Sequence, residues 1–314
     1  MEYIKGRLDF HVAEPTVLSI GKFDGLHRGH ELLMDYVFQK KKEGMKAVIF
    51  TFDVPPKKSL EQDAARVLTT NEEKMHLFEQ IGIDYLIECP FTEEIMHMPA
   101  EEFLKKIVEQ LSIRCIVAGT DCSFGYQRRG DYRMLQKYAP EYHYEAQIVD
   151  KMQYEGRDIS STFIREEIAA GNMEKAELLL GYAYFVQGTV VHGNQIGRTI
   201  GIPTINLLPP QEKLLPPFGV YAARVEIDGK RYYFGDDGKM QTGFTNIGAG
   251  DNPVGVETNL FDFHGDLYGK HAKVSLLKWV REEQKFQNVS ELKVQMEKDI
   301  AFCRSFLGDS AASE

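Results

Sequence analysis

The fold of the first half of this chain is decided by the stretch TVLSIGKFDGLHRGH, which runs from Thr16 to His30. It begins with Thr16–Ile20, five residues whose mostly apolar and β-branched character is typical of a buried strand. A glycine-rich turn follows and ends in a His-x-Gly-His sequence, and apolar residues at helical spacing come directly after it. A strand, a tight turn and a helix start in this order predict a phosphate-binding helix N-terminus, because the unpaired N–H groups there attract anions.

Strand-like and helix-like segments alternate from this stretch through the first half of the chain. The predicted strands are Thr16–Ile20, Lys46–Phe52, Asp84–Glu88, Arg114–Gly119 and Tyr142–Val149. The predicted helices are Glu31–Lys42, Asn71–Ile81 and Ala100–Leu111. This alternation predicts a Rossmann-like α/β domain, a parallel sheet with helices on both faces that binds ligands at the carboxyl ends of its strands.

The pattern changes after a short helical bridge. One predicted helix of the bridge begins near Ser160 and a second covers Met173–Leu180, so we place the domain boundary after Gly181. The first domain then comprises residues 1–181, the second residues 182–307, and residues 308–314 form a tail that we expect to be disordered.

The second domain is predicted to be rich in short strands. These are Phe185–Val191, Gly219–Ile227, Arg231–Phe234, Val256–Phe263 and Ala272–Val280. Strands at this spacing predict a small antiparallel β-barrel, and an amphipathic helix over Ser290–Phe306 is expected to close it.

Composition narrows the class of protein. The 314 residues suffice for two domains, and the net charge of -10 argues against a nucleic-acid partner, which needs excess lysine and arginine. The chain start lacks the apolar core of a signal peptide, and no apolar stretch approaches the roughly 18 residues of a membrane span. The four cysteines are scattered without a CxxC pair, so reduced thiols are expected. We therefore expect a cytoplasmic protein with no membrane partner, as a monomer or a weak homo-oligomer.

Two histidines, His27 and His30, open the first predicted helix. Imidazoles at this position can donate hydrogen bonds to oxygens around an α-phosphate as negative charge develops there. Gly29, between them, permits a phosphate to approach the backbone closely. Two surface histidines in a turn would be the alternative for an isolated HxGH, but the strand–turn–helix context favours the phosphate site.

A second segment with phosphate-binding chemistry is ISSTFIR, Ile159–Arg165. The hydroxyls of Ser160, Ser161 and Thr162 stand at a helix start, and Arg165 follows about one turn later. Hydroxyls and an arginine in this arrangement can hold the β- and γ-phosphates of a leaving pyrophosphate. A plain helix cap would explain the same serines and threonine if the segment stood alone.

A second glycine-rich stretch, HGNQIGRTIGIPTIN, lies between His192 and Asn206. It is not a Walker A loop, because its glycine spacing is one residue short and Arg198 stands where that motif requires lysine. What remains is a loop that can bind phosphate through backbone N–H groups. The Thr204 hydroxyl and the Asn206 carbonyl follow at i and i+2, and such neutral oxygens suit Mg²⁺ carried by a nucleotide.

Three downstream segments belong to the same pattern, namely Asn246–Gly248, Val256–Phe263 and Gly265–Gly269. Glu257 lies in a predicted strand with largely apolar neighbours, a setting that can position a carboxylate to accept a hydroxyl proton. As an isolated glutamate it would be interpreted as a solvent-facing strand residue.

Taken in order, these motifs resemble those of one enzyme family. In the first half, GxFDGxHxGH, GTDCSFG with RRGD, and ISSTxxR resemble the nucleotidyltransferase superfamily. In the second half, GRxxGxPTxN, GVYA, NIG, ExxLxDF and DLYG follow one another. From about Thr16 to about Phe306 the chain resembles the bacterial bifunctional riboflavin kinases/FMN adenylyltransferases, also called FAD synthetases.

The resemblance implies that the second domain transfers the γ-phosphate of Mg-ATP to the ribityl 5′-hydroxyl of riboflavin. Glu257 would be the general base, Thr204 and Asn206 would bind Mg²⁺, and Arg281 would lie near the flavin. The phosphate-binding residues implied for this half are Gly193, Gly197, Arg198 and Asn246.

The resemblance implies that the first domain adenylylates FMN to FAD and releases pyrophosphate. His27, His30 and Arg165 would be catalytic, and Asp121 and Phe124 would contact the flavin. The nucleotide- and phosphate-binding residues implied for this half are Gly21, Phe23, Asp24, Gly29, Ser160, Ser161 and Thr162. The partners would be the small molecules riboflavin, FMN, FAD and ATP.

The chain departs from the family pattern at several positions. FDVPP, ending at Pro56, stands where FDPHP is usual, so Val54 follows the aspartate and a histidine is lost, and Cys122 replaces a usual phenylalanine. The loop after Gly248 is glycine-rich and short, and Gly235–Thr242 has the character of an insertion. These changes leave open the alternative that only one activity is retained, with the kinase favoured.

Other function classes fit less well. A flavin-binding sensor would be expected to have lost charged or metal-binding groups, and these are present. A pantetheine-phosphate or nicotinate-mononucleotide adenylyltransferase would have no use for the second domain. A tRNA synthetase fragment disagrees with the negative net charge.

Overall fold

The computed structural model describes residues 1–6, 10–53, 66–193, 195–228, 233–234, 239–240, 242–248 and 255–310. The chain divides into two compact units, Met1–Ser161 and Thr162–Glu314.

The first unit is a parallel α/β structure. Its strands are β1 (Glu2–Lys5), β2 (Thr16–Ile20), β3 (Lys46–Asp53), β4 (Tyr85–Pro90), β5 (Ile113–Gly119), β6 (Ser123–Phe124), β7 (Gly130–Asp131), β8 (Glu145–Val149), β9 (Gln153–Tyr154) and β10 (Arg157–Asp158). Its helices are α1 (Arg28–Lys42), α2 (Asn71–Ile81), α3 (Glu93–His97), α4 (Ala100–Leu111) and α5 (Tyr132–Tyr142), with a short 3-10 turn over Tyr126–Arg128.

Six strands form the main sheet in the order β1-β4-β3-β2-β5-β8, and every neighbouring pair is parallel. Strand β2 is buried along its whole length because it lies inside the sheet with helices on both faces. Val17 packs with residues of α1 and α2, while Leu18 and Ile20 pack with residues of α4 and α5. The alternation of side chains along a strand thus produces one apolar layer on each face.

The second unit is an antiparallel barrel with helices. Its strands are β11 (Phe185–Val191), β12 (Thr204–Leu207), β13 (Gly219–Ile227), β14 (Tyr233–Phe234), β15 (Lys239–Met240), β16 (Thr242–Gly248), β17 (Gly255–Leu260) and β18 (His271–Glu282). Its helices are α6 (Ser161–Ala169, whose first residue ends the first unit), α7 (Met173–Leu180), α8 (Ile196–Thr199) and α9 (Val289–Ser310).

The barrel closes through six strands in the order β11-β12-β17-β16-β13-β18, while β14 and β15 form a separate small hairpin. Helix α9 covers the outer face of β13 and β16, where Met296 and Cys303 pack with Val220 and Phe244. The predicted fold class, a parallel α/β sheet followed by a closed antiparallel barrel and a terminal helix, is therefore confirmed.

Several boundaries differ from the predicted ones. The strand predicted to begin at Tyr142 begins at Glu145, because the preceding residues form α5 in spite of Pro140. Asp131 starts that helix by accepting a hydrogen bond from the Met134 backbone N–H at 3.1 Å. The strand predicted to end at Phe263 ends at Leu260, and a turn follows it.

Some elements carry no clear periodicity and were not predicted. They include the strands β1 and β16, the helix α3 and the one-turn helix α8. Helix α9 continues to Ser310, three residues into the predicted tail, and residues 311–314 lie outside the described part of the chain.

Candidate active site

The glycine turn after β2 lies at the point where the strand order of the main sheet reverses. From β2, the chain proceeds to β3 and β4 on one side, while β5 and β8 pair on the other side. Open parallel sheets bind ligands in the crevice at the carboxyl ends of the strands at such a reversal. Within the first unit, the sequence GKFDG and the loop after β5 both begin at this edge.

His27 is the N-cap residue of α1, and His30 is in the first turn of that helix. The two imidazole rings are stacked, with centroids 3.8 Å apart and planes at 22°. Nδ1 of His30 accepts a hydrogen bond from the His27 backbone N–H at 3.4 Å, which places the proton of a neutral His30 ring on Nε2. Among the described residues, the buried Nδ1 of His27 has no hydrogen-bond partner. The His27 ring thus keeps one buried hydrogen-bonding nitrogen that the described residues leave unsatisfied.

Burial makes both histidines neutral donors. It lowers the pKa of His27 from 6.5 to about 4, an effect that the negative charge of Asp121 opposes. Burial and then the charge of His27 lower the pKa of His30 well below its usual value. A charged ring is costly where water is excluded, so the pair presents polar N–H groups without positive charge.

This pKa predicts a titration. We expect His27 to remain neutral at pH 5.5 and to gain a proton only near pH 4, which nuclear magnetic resonance of the imidazole nitrogens would measure. Because folding lowers this pKa, the stabilisation from neutral His27 is complete above pH 6.5 and is lost as the pH falls towards 4. The resonance that disappears in the variant His27→Gln is the one that belongs to the His27 imidazole. A midpoint at or above pH 6 would contradict the expected desolvation.

Asp24 stabilises this turn through hydrogen bonds. Its Oδ1 accepts hydrogen bonds from the backbone N–H groups of Leu68 and Thr69, at 2.8 and 3.1 Å. The Thr69 hydroxyl in turn accepts a hydrogen bond from the Gly25 N–H at 3.0 Å. The Asp24 carbonyl accepts a hydrogen bond from the Ser161 hydroxyl at 2.7 Å. The turn that carries the histidines is therefore held from two distant parts of the first unit.

Two glycines of the motif leave little room for a side chain. A Cβ on Gly29 would lie 3.1 Å from the His27 ring and 3.3 Å from the carbonyl oxygen of Ile159. A Cβ on Gly21 would lie 3.1 Å from the ring of Phe23, which is 1% exposed and packs 5.0 Å from the His30 ring. Phe23 thus supports the back of the His30 ring.

The loop after β5 brings acidic and basic groups to the same edge. Asp121 is exposed, and one of its oxygens lies 3.4 Å from Nζ of Lys151, which also lies 3.3 Å from Asp158. Phe124 is 3% exposed and packs on Phe103, so it lies in the core in this structure, and its role as a flavin contact stays a prediction. Lys151 was not predicted, although its place just after a strand is a signal that could have found it.

The predicted ISSTxxR residues lie at the start of α6. Ser160 precedes the helix, Ser161 is its first residue, and Thr162 and Arg165 fall in its first turns. Their binding of phosphates stays a prediction. Val54 and Asn194 lie outside the described residues, as does Asn252–Val254 in the loop after Gly248.

In the barrel, strand register places the predicted polar residues in one row. Asn206 on β12 is opposite Glu257 on β17, and Glu257 is opposite Asn246 on β16. The row continues through Val220 on β13 to Arg281 on β18. Because directly opposed residues point to the same face, these side chains share the outer face of the barrel.

Glu257 has a perturbed carboxyl group. Its side chain is exposed, yet partial desolvation by the surrounding strands and then the negative charge of Glu283 raise its pKa above the usual value. Glu283 lies directly over Gly248, where any Cβ would collide with its carboxylate. Raising the pKa of a carboxylate makes it a better proton acceptor, as general-base catalysis requires. Glu283 had no signal in the sequence, because 26 positions separate it from Glu257.

Asn206 and Thr204 lie two residues apart on β12 and so share a face. A Cβ on Gly193 would lie 2.5 Å from Oδ1 of Asn206, so the glycine loop touches this amide and a side chain there would have to displace it. Asn259, opposite Thr204, donates a hydrogen bond from its side chain to the Pro203 carbonyl at 2.7 Å. This contact fixes the strand start that carries both predicted Mg²⁺ ligands.

A pocket of about 220 Å³ opens beside Thr204. It is lined by Arg198 and by the turn Phe263–Tyr268, which contains the DLYG sequence. Nη2 of Arg198 donates a hydrogen bond to the Tyr268 hydroxyl at 2.8 Å, and the His192 ring stacks on Tyr268 with centroids 3.7 Å apart. Gly197 must be glycine, because a Cβ there would lie 2.2 Å from the Ile202 carbonyl oxygen. The glycine loop and DLYG therefore form one pocket within the second unit.

Comparisons with known proteins agree with this arrangement. A family model described as FAD synthetase matches residues 9–163, and one described as riboflavin kinase matches residues 180–307. The protein described as bifunctional riboflavin kinase/FMN adenylyltransferase from Listeria monocytogenes is 34% identical over 293 residues, covering 92% of each chain. Its counterpart of the same description from Escherichia coli K12 is 35% identical over 302 residues, covering 94% of each chain.

A solved structure resembles the whole chain. It comes from Streptococcus pneumoniae, is described as a macrolide-efflux protein, and is 31% identical with a TM-score of 0.81, covering 95% of this chain and 96% of that chain. In the described part of the present chain, none of the helices has the length and apolar character needed to cross a membrane.

Proposed function

The chain belongs to the family of bifunctional riboflavin kinases/FMN adenylyltransferases, and from this membership we infer that each of its two domains, residues 1–181 and 182–307, carries out one of the two reactions. The enzyme phosphorylates riboflavin to FMN with ATP and adenylylates FMN to FAD with a second ATP. The observation that carries the division of labour is structural. The paired histidines lie in the first unit, and the row that contains Glu257 lies in the second.

We propose that the first domain, residues 1–181, performs adenylyl transfer by positioning and charge stabilisation. An oxygen of the FMN phosphate attacks the α-phosphorus of ATP, a new P–O bond forms, and pyrophosphate leaves with the electrons of the broken bond. His27 and His30 would donate hydrogen bonds to the α-phosphate oxygens as charge builds on them. Ser160, Ser161, Thr162 and Arg165 would hold the pyrophosphate. Gly21, Phe23, Asp24 and Gly29 would shape the turn, and Asp121 and Phe124 would serve the flavin.

We propose that the second unit transfers the γ-phosphoryl group. Glu257 would accept the proton of the ribityl 5′-hydroxyl while that oxygen bonds to the γ-phosphorus and ADP leaves. The raised pKa of Glu257 supports this assignment. Gly193, Gly197, Arg198 and Asn246 would bind ATP phosphates at the pocket and along the row, and Arg281 would contact the flavin.

Mg²⁺ is the cofactor that this reaction implies, and the residues present fit it. Thr204 and Asn206 offer neutral oxygens on one face of β12, and Gly193 keeps open the space beside the Asn206 amide that a Cβ would fill. These two residues would hold the ion, which when bound with ATP neutralises charge on the phosphates.

This contact predicts the effect of one methyl group. Gly193→Ala should reduce FMN formation at least tenfold by displacing the Asn206 amide, with a higher Mg²⁺ requirement and unchanged conversion of FMN to FAD. Gly188→Ala is the matched control on β11, because its Cβ would make only an ordinary 3.9 Å contact. Steady-state rates of FMN formation at several Mg²⁺ concentrations measure the rate and the Mg²⁺ requirement of each variant. Equal behaviour of the two variants would remove Asn206 from the proposed metal site.

Residues 181 and 182 are our proposed functional boundary, which the family-model ranges 9–163 and 180–307 support. We propose a cytoplasmic enzyme that acts on small molecules, with no nucleic-acid partner, as a monomer or weak homo-oligomer.

One assay tests the proposed function. The protein is incubated with riboflavin and Mg-ATP, and FMN and FAD are separated by chromatography. Both products are expected. Detection of FMN alone would favour the alternative in which only the kinase is retained, and detection of neither product would contradict both enzymatic interpretations.

A further inference from the structure

A buried ion pair joins the last strand of the barrel to its closing helix. Nε of Arg281 donates to Oδ1 and Oδ2 of Asp299 at 3.0 and 3.1 Å, and Nη2 donates to Oδ2 at 2.7 Å. Asp299 is 2% exposed, and Gln295 one turn earlier donates a further hydrogen bond to its Oδ1 at 2.9 Å. The carboxylate therefore has a fixed position on α9 and fixes the guanidinium in turn.

The pairing leaves part of Arg281 unused. An arginine has five N–H groups, and here Asp299 takes the edge formed by Nε and Nη2. Nη1 donates one hydrogen bond to the Glu282 carbonyl at 2.8 Å. Within the described residues, one N–H on each of Nη1 and Nη2 remains without a partner, so the guanidinium still presents two donors.

The charge of the pair indicates what those donors bind. Asp299 neutralises Arg281, so this position lacks the excess positive charge that a triphosphate would require. A rigid pair of N–H donors without net charge suits uncharged carbonyl oxygens instead. The pyrimidine edge of an isoalloxazine ring carries such carbonyl oxygens.

The strand register sets the distance to the reacting hydroxyl. Arg281 and Glu257 belong to one row and are separated by the strands β13 and β16. Three strand spacings give about 14 Å along the barrel surface. A ribityl chain and a fused ring can bridge that distance when the 5′-hydroxyl lies at Glu257.

We propose that Asp299 is a positioning residue for the kinase reaction, because it holds the Arg281 guanidinium so that the two remaining N–H groups bind the carbonyl edge of the flavin. The inference rests on the proposed function of the second unit. It makes α9 part of the flavin site and not only a cover for the barrel.

The competing explanation is that the Arg281–Asp299 pair only anchors α9 to the barrel. A second ion pair of the same helix serves as the control for that explanation. Arg304 of the same helix makes a bidentate pair with Asp262 in the turn after β17, at 2.7 and 2.9 Å. Both partners are more exposed, with side chains 47% and 75% accessible. Asp262→Asn therefore removes another bidentate arginine–aspartate pair from the same helix, this one through Nη1 and Nη2 and away from the row.

The test is steady-state kinetics on the full chain. Asp299→Asn should raise the riboflavin KM of the kinase at least tenfold, with the ATP KM and FMN adenylylation changed less than twofold. Asp262→Asn should change none of these. In an Arg281→Ala background, adding Asp299→Asn should alter the riboflavin KM less than twofold, because the residue that Asp299 positions is already absent.

Three outcomes would overturn the proposal: equal effects of Asp299→Asn and Asp262→Asn, a fall in kcat alone, or a full additional effect in the Arg281→Ala background. If Asp299→Asn does not fold, Gln295→Met keeps the ion pair but loosens the carboxylate, and an unchanged riboflavin KM in that variant would also overturn it. If the wild type made no FMN, the proposed function would fail instead. Riboflavin binding, followed by flavin fluorescence in the same variants, would then still decide the role of Asp299.

Discussion

Replacing Glu257 with glutamine should abolish FMN formation while leaving the conversion of FMN to FAD intact. The substitution keeps the size of the side chain and removes its ability to accept a proton. General-base catalysis contributes roughly 10²–10⁴-fold to a rate, so a loss of about 10³-fold in kinase kcat is expected. Riboflavin KM should change little, because the loss is confined to the transition state.

Two controls make this result specific. Glu282→Gln alters an exposed carboxylate at the end of β18 and should keep the wild-type kinase rate. FMN supplied to Glu257→Gln should yield FAD at the wild-type rate. A Glu257→Gln protein that phosphorylates riboflavin within tenfold of wild type would show that another group, or water, takes the proton.

His30→Ala should have the reverse effect. Removing one donor to developing charge on a phosphate typically costs about 10²–10³-fold in kcat, and that loss is expected in FAD formation. FMN formation should be unchanged. His76→Ala removes a partly exposed histidine from α2 in the same unit and is the control for substitution of a histidine as such.

The His30 ring also packs on Phe23 and stacks on His27. His30→Gln, which keeps a polar donor in a similar volume, should therefore recover part of the rate lost in His30→Ala. If His30→Ala lowered both activities equally in a folded protein, the assignment of adenylyl transfer to the first unit would be wrong.

The sequence predicts those elements whose burial is periodic. Thr16–Ile20 and Asn71–Ile81 have the predicted bounds, because a fully buried strand and a capped amphipathic helix each leave a strong pattern. The capping box of α2 between Thr70 and Glu73, and the left-handed Gly82 at its end, explain its clear limits. Helix α5 was missed because Pro140 argues against a helix, whereas its Asp131 cap lies outside any apolar pattern.

The residues of the candidate site were predicted only where those that act together are also close together in the sequence. His27 and His30 are three positions apart, and Thr204 and Asn206 are two apart, so their spacing could be interpreted directly. Glu283 and Asp299 act on residues far away in the chain. Their partners are determined by strand register and helix packing, which no local motif reports.

The hydrogen bond from the Ser161 hydroxyl to the Asp24 carbonyl has a consequence for the order of folding. It spans 137 positions, and Ser161 is the last residue of the first unit. Contacts so distant in sequence form late, because the loop between their ends must first be ordered. During synthesis, the turn that holds His27 and His30 therefore cannot gain this anchor until the whole unit has left the ribosome. The turn that carries the two histidines is among the first parts of the chain to be made and among the last to be completed.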